Sequence, residues 1–130
     1  MRIATGGQYD PDMSEILGLA TVIFPTADLQ ASKSWWQLAL GKEPYFDEPF
    51  YVGFDLNGYE LGLNPAAPIA NGPVAYLRVE NIDRAFSDFI DNGCTIVGGI
   101  GSVGEGIRVG ELRNPEGFAF GVIENPNFTK

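Results

Sequence analysis

The chain of 130 residues contains no histidine. That absence removes the imidazole base of Ser-His and Cys-His nucleophiles and the commonest nitrogen ligand of transition metals. A single cysteine, Cys94, excludes an intrachain disulfide and fits a reducing compartment. With no imidazole to activate its thiol, Cys94 reads as a small buried apolar residue. Basic residues are scarce, eight against seventeen acidic ones, and the resulting formal charge of −9 counts against nucleic acid or an anionic membrane as partner. Cationic ligands stay open on the same ground. No apolar run reaches the length of a membrane span, and Met1-Arg2-Ile3-Ala4-Thr5-Gly6-Gly7 lacks the apolar stretch of a signal peptide. The expectation is a soluble, cytoplasmic protein. Asn127-Phe128-Thr129 matches a glycosylation sequon, read as accidental in a chain with no secretory signal.

What the chain does have is apolar mass, 45% of the residues including sixteen aromatic rings, enough for one domain with a real core. Residues 1–18 lack periodicity and carry Gly6-Gly7 and Asp10-Pro11, so they read as an arm ahead of a single domain over 19–130. Ala20 to Thr26 is β-branched and aromatic, a strand with Pro25 near its end. Asp28 caps a helix from about Leu29 to Leu40, with Ser32, Trp35, Trp36, Ala39 and Leu40 on one face and Gly41 as its stop. An aromatic run from Phe50 to Leu56, the hairpin turn Asn57-Gly58 and a strand from Tyr59 to Leu63 complete a first module ending near residue 65. Residues 66–73, rich in Pro, Ala and Gly, have the composition of a linker.

The second module, about 74–126, follows the same plan. Val74 to Val79 reads as a strand and Asn81 caps a helix in which Ile82, Ala85, Phe86, Phe89 and Ile90 keep helical spacing, closed by Gly93. Strands follow at Thr95–Val97, Ile107–Leu112 and Phe118–Ile123, with the turn Asn114-Pro115-Glu116-Gly117 before the last. Thr21 to Gly41 lies over Val74 to Gly93, and Gly58-Tyr59-Glu60-Leu61-Gly62-Leu63 over Gly117-Phe118-Ala119-Phe120-Gly121-Val122. Two copies of one unit imply two pseudo-symmetric modules rather than a solenoid or one open sheet.

Strand alternation sorts the side chains into two faces. Val22, Phe24, Ala75, Leu77, Val79, Phe118, Phe120 and Val122 are expected beneath the helices. Thr21, Ile23, Glu60, Gly62, Val74, Tyr76, Arg78, Ala119, Gly121 and Ile123 are then expected on the opposite face, a mostly small, apolar wall whose strongly polar members are Glu60, Tyr76 and Arg78. Such a wall suits a ligand pocket with a few orienting groups; an Arg78–Glu60 ion pair and a packed Tyr76 ring are the structural alternatives. Gly99-Ile100-Gly101-Ser102-Val103-Gly104 satisfies the dinucleotide pattern literally, but Glu105-Gly106 leads on into a strand where the pattern requires a helix. It reads as a flexible loop bordering the cleft.

Thr26-Ala27-Asp28-Leu29-Gln30-Ala31-Ser32-Lys33-Ser34-Trp35-Trp36 through Leu40-Gly41, with Asn114-Pro115-Glu116-Gly117-Phe118 before the last strand, resembles the glyoxalase/bleomycin-resistance (vicinal oxygen chelate) superfamily over about Leu19 to Asn125. Two tryptophans replace that family's usual Phe-Tyr pair. The resemblance implies an α+β fold of two tandem βαβββ modules, whose curved mixed sheets surround a cleft, and a homodimer, which would also cover exposed sheet edges. It places the family's metal ligands at Thr21, Glu60, Val74 and Gly121, of which Glu60 alone can bind a metal. Matching the internal repeat sets Gly62, rather than Glu60, opposite Gly121.

No metal or other cofactor is therefore expected, and the leading functional expectation is metal-free binding of a small, partly apolar molecule. Candidate ligand-binding residues are Thr21, Ile23, Glu60, Val74, Tyr76, Arg78 and Gly121. The alternative is a lyase or isomerase with Glu60 as base and Tyr76 or Arg78 as electrophile. A third reading is a dimeric interaction module, which a cleft filled by its own side chains would favour.

Overall fold

A computed structural model describes residues 15–127, so residues 1–14 of the expected arm, and Phe128 and Thr129 of the sequon, lie outside the described residues. Strand β1 (Ile16–Pro25) leads into helix α1 (Leu29–Leu40), then β2 (Phe46–Glu48), β3 (Tyr51–Leu56) and β4 (Tyr59–Asn64). After a short 3-10 turn at Ile69–Asn71, the plan repeats as β5 (Val74–Val79), α2 (Ile82–Asp91), β6 (Thr95–Gly104), β7 (Ile107–Arg113) and β8 (Ala119–Glu124).

The eight strands form one curved mixed sheet in the order β2-β3-β4-β1-β5-β8-β7-β6. Each half pairs its first strand in parallel with its last, β1 with β4 and β5 with β8, and the halves join through the antiparallel pair β1–β5. This is the α+β architecture of two tandem βαβββ modules that the family resemblance implied, but the modules share one continuous sheet that does not close, where the repeat suggests two modules rather than one open sheet; the antiparallel pairing of β1 with β5 joins them.

Local chemistry sets the element boundaries. Asp28 Oδ1 accepts the Ala31 amide and Asn81 Oδ1 accepts the Arg84 amide, so each helix begins where a capping side chain meets an otherwise unpartnered amide. Gly41 ends α1 in the left-handed region at φ 66°. Asn57 and Gly58 both have positive φ, as a type I′ hairpin turn requires, and Asp55 Oδ1 accepts the Gly58 amide.

Both helices pack on the same face of the sheet, over two cores. Leu29, Val52, Phe54, Leu61 and Leu63 form the first, with Phe24, Trp36 and Leu40 against it. Val79, Ile82, Ala85, Phe86, Cys94, Leu112 and Val122 form the second, with Leu77 and Phe120 against it. The expected helix-side residues Phe24, Leu77, Val79, Phe120 and Val122 are all found there.

Five boundaries or faces differ from expectation. Phe118, expected beneath the helices, lies in the turn just ahead of β8 and is exposed. β1 opens at Ile16, which pairs with Val79, so residues 16–18 belong to the sheet rather than to the arm. Trp35 and Ala39 are exposed, because the buried stripe of α1 follows Leu29, Ser32, Trp36 and Leu40; adjacent tryptophans stand about 100° apart on a helix, so one of them must point away. The two rings still meet edge to face at 4.9 Å. β2 is an additional strand, and its three exposed residues carry no alternation to read. Residues 99–104 are not a flexible loop: they continue β6 as the sheet edge, pairing with β7 through register shifts that absorb the extra residues. The glycines there are backbone of a strand, and no helix follows them.

Candidate functional site around Glu60

The face opposite the helices is organised by one register row. Asp55 pairs with Glu60, Glu60 with Thr21, Thr21 with Tyr76, Tyr76 with Gly121 and Gly121 with Glu111, crossing β3, β4, β1, β5, β8 and β7 in turn. Residues in register on neighbouring strands project to the same face, so the row gathers carboxylates and hydroxyls on the face that the helices leave uncovered.

Glu60 is the centre of the first cluster. Its Oε1 accepts the Thr21 hydroxyl at 2.8 Å and the Tyr51 hydroxyl at 2.6 Å, and its Oε2 accepts the Tyr45 hydroxyl. Thr21 is buried, Glu60 and Tyr51 are half-buried, and Tyr45 is 62% exposed. The three hydroxyls replace the water that a half-buried carboxylate would otherwise lose.

Beneath the two phenols the sheet carries glycines. Gly53 and Gly62 are register partners. A Cβ on Gly62 would lie 1.8 Å from the Tyr51 hydroxyl oxygen, and one on Gly53 would lie 2.7 Å from Glu60 Oε2 and 3.0 Å from the Tyr45 ring. The glycine pair is the floor on which the two phenols rest.

The second cluster is built alike. Tyr76, 6% exposed, donates its hydroxyl to Glu111, and its ring covers Gly121, where a Cβ would meet ring atoms at 2.3 Å. Beside it, Ile23, Asn64, Asn71, Val74, Tyr76 and Glu111 border an enclosed space of about 20 Å³, room for about one water molecule. A larger surface depression of about 310 Å³ lies at the end of α1, around Leu38 and Lys42, and shares no residue with either cluster.

The phenols of these clusters are held neutral. Burial first, then the charge and the hydrogen bond of Glu60, push Tyr51 well above the usual phenol range. The same three causes, with burial first and the Glu60 hydrogen bond next, raise Tyr45. Burial and Glu111 raise Tyr76. In the unfolded chain these groups ionise near the ordinary value of about 10. The folded state therefore keeps protons that the unfolded chain loses above that pH, so this contribution to stability is complete below about pH 10 and declines as pH rises further. A tyrosinate absorbance titration is expected to show Tyr51 and Tyr76 protonated until the fold is lost; ionisation of both near pH 10 with the fold intact would contradict it.

The sequence-derived site residues divide between these clusters. Thr21 and Glu60 meet directly. Ile23 pairs with both Gly62 and Val74, and Tyr76 stands over Gly121. Tyr76 gives its hydroxyl to Glu111 rather than to Glu60. Arg78 pairs with Gly18 and Ile123, two strands away from Glu60 and further along the sheet. Tyr45, Tyr51 and Glu111 are the participants that sequence reading missed. Alternation marks Tyr51 with Gly53 and Asp55, and Glu111 with Val109 and Arg113, once β3 and β7 are assigned faces. Tyr45 lies in an irregular segment between α1 and β2 and has no such signal.

The repeat itself can be aligned from the two helix caps. Ile23 stands five residues before Asp28 and Tyr76 five before Asn81, and their parallel partners are Gly62 and Gly121. Gly62 and Gly121 are thus counterparts, and Glu60 corresponds to Ala119. The four positions at which the family resemblance places metal ligands offer one hydroxyl, one carboxylate, an apolar side chain and a glycine. Among the described residues no three His, Cys, Asp or Glu side chains gather into a metal-holding group. The donor set does not fit a transition-metal centre.

No helix among the described residues is long and apolar enough to cross a membrane. A comparison with curated proteins found no match. Among solved structures, similar ones include methylmalonyl-CoA epimerase from Mycobacterium tuberculosis (18% identity, 86% of this chain and 90% of that chain, TM-score 0.69). A glyoxalase/bleomycin resistance protein/dioxygenase superfamily member from Vibrio splendidus is 20% identical over 82% of this chain and 97% of its own, with TM-score 0.60. A protein described as NAD-dependent benzaldehyde dehydrogenase from Legionella pneumophila is 16% identical over 81% and 97%, with TM-score 0.65. At these identities the likeness is one of fold. The model of the Glyoxalase/Bleomycin resistance protein/Dioxygenase superfamily matches residues 18–122, nearly the whole described sheet, and the chain belongs to that superfamily.

Proposed function

We propose that this chain is a metal-free binding protein that holds a small, partly apolar molecule against the concave face of its sheet, at Glu60. The observation that carries this reading is a half-buried carboxylate set over a glycine pair: Glu60 accepts the hydroxyls of Thr21, Tyr45 and Tyr51, the two phenol rings lie over Gly53 and Gly62, and Phe46 stands beside Tyr51. Apolar walls with one orienting polar group are what small-molecule sites generally offer. The superfamily's metal ligands are not reproduced in the donor set, so binding here draws on hydrogen bonds and aromatic surface.

The alternative, a lyase or isomerase with Glu60 as base, draws on the fold likeness to proteins described as methylmalonyl-CoA epimerase. In this chain its expected electrophiles, Tyr76 and Arg78, are not placed at Glu60, whose neighbours are Thr21, Tyr45 and Tyr51. The interaction-module reading draws on the closed concave face, and homodimerisation is part of the proposal because β2 and β6 end the sheet as edges.

The test is a small-molecule screen by thermal shift and calorimetry on tag-free, chelator-treated protein, repeated on Glu60→Gln. The proposal expects at least one neutral, partly aromatic molecule whose binding weakens about tenfold or more in Glu60→Gln, the loss of a hydrogen bond to a charged group. A diverse panel with no Glu60-dependent binder would overturn it.

A further inference from the structure

The concave face leaves little empty space, so a ligand at Glu60 must take the place of something. We infer that Tyr45 is a displaceable occupant of the Glu60 site, and that the molecule exchanging with it is a phenol, its hydroxyl donating to Glu60 Oε2 and its ring lying on Gly53. The inference rests on the reading of Glu60 as a binding site.

Three observations separate Tyr45 from the other partners of Glu60. Thr21 and Tyr51 both donate to Oε1 and are set in strands of the sheet, whereas Tyr45 lies outside the strands and donates to Oε2. Whereas Tyr51 is half-buried and Thr21 buried, Tyr45 is 62% exposed. Its backbone amide is fixed to the Gly53 carbonyl at 3.0 Å, so side-chain rotation alone clears the position without unpairing the sheet.

The vacated position keeps the shape and polarity of the group that left it. One carboxylate oxygen is opened, Gly53 gives a floor with no Cβ, and the rings of Phe46 and Tyr51, with centroids 6.2 Å apart, stand alongside. A phenol restores the bond that Tyr45 gives up, so the exchange leaves no polar group unpaired. A carboxylate ligand would face the charge of Glu60 with nearby Asp55, in a chain of formal charge −9. An arene without a hydroxyl would leave Oε2 without its donor.

The test is calorimetric titration of the full chain with p-cresol, toluene, benzoate and benzylammonium, using wild type, Tyr45→Ala, Tyr45→Phe and Glu60→Gln. Wild type is expected to bind p-cresol, and Tyr45→Ala to bind it about tenfold more tightly because the competing occupant is gone. Tyr45→Phe, which keeps a ring but gives up the hydrogen bond, should fall between them. Glu60→Gln should weaken p-cresol about tenfold or more, and toluene and benzoate should trail p-cresol by at least as much. Equal p-cresol affinity in wild type and Tyr45→Ala would overturn the role of Tyr45; tighter binding of benzylammonium than of p-cresol would overturn the phenol class. If p-cresol fails on both proteins while another neutral molecule binds in a Glu60-dependent way, this inference falls and the proposed function stands. If Tyr45→Ala, folded by circular dichroism, binds none of these and no member of the wider panel, both fall.

Discussion

Replacing Gly121 with alanine is expected to destabilise the protein by about 2–3 kcal/mol, in the upper part of the range for overpacked positions. The added Cβ would lie 2.3 Å from two atoms of the Tyr76 ring, a distance no real contact tolerates. The ring has little freedom to retreat: it is 6% exposed and its hydroxyl is held by Glu111. For a domain of this size the melting temperature should fall by roughly 10 °C. Gly99→Ala is the matched control, because a Cβ there meets nothing within 4 Å; its effect should stay within about 0.5 kcal/mol. Adding Tyr76→Ala to Gly121→Ala removes the clash, so the double variant should lose less than the sum of the single changes. Additive losses, or a neutral Gly121→Ala, would mean that the ring does not lie over the glycine.

Glu60→Ala is the second large effect. It leaves the hydroxyls of Thr21, Tyr51 and Tyr45 without their shared acceptor, and Thr21 and Tyr51 have restricted access to water. A buried donor without a partner costs about 1–3 kcal/mol, so a total near 2–3 kcal/mol is expected in chemical denaturation at neutral pH. Glu60→Gln keeps a carbonyl acceptor in place and should cost roughly half as much. The contrast identifies the mechanism, since a residue that only filled space would lose stability in Glu60→Ala through its methylenes and none in the isosteric Glu60→Gln. If Glu60→Ala is as stable as wild type, the hydroxyl cluster contributes nothing to the fold and Glu60 is a solvated surface acid.

The fold was legible because each of its devices leaves a local mark. Asp28 and Asn81 announce the helices, Asn57-Gly58 announces a type I′ hairpin, and the repeat announces the second half from the first. The two faces of the sheet follow from alternation in β1, β4, β5 and β8, which sets Thr21, Glu60 and Tyr76 on one face. The edges were harder. β2 is three exposed residues with no pattern, and the glycines of residues 99–104 read as a loop because glycine disfavours a strand unless register shifts absorb it, as they do along β6. The partners of Glu60 were harder still. A carboxylate's hydrogen-bond donors come from the strand beside it and from a segment outside any strand, and nothing in the spacing of Tyr45 shows that its hydroxyl returns to residue 60. The same limit applies to Tyr76, whose expected association with Glu60 gave way to Glu111 on a strand two places further across the sheet.

Whether Glu60 works without a metal is tested most directly by isothermal titration of tag-free protein with zinc, manganese, nickel and cobalt ions. One carboxylate already engaged by hydroxyls, beside an apolar position and a glycine, predicts no stoichiometric binding at micromolar ion concentrations and no rise in melting temperature. Tight one-to-one binding of any of these ions, lost in Glu60→Ala, would contradict the account and make Glu60 a metal ligand.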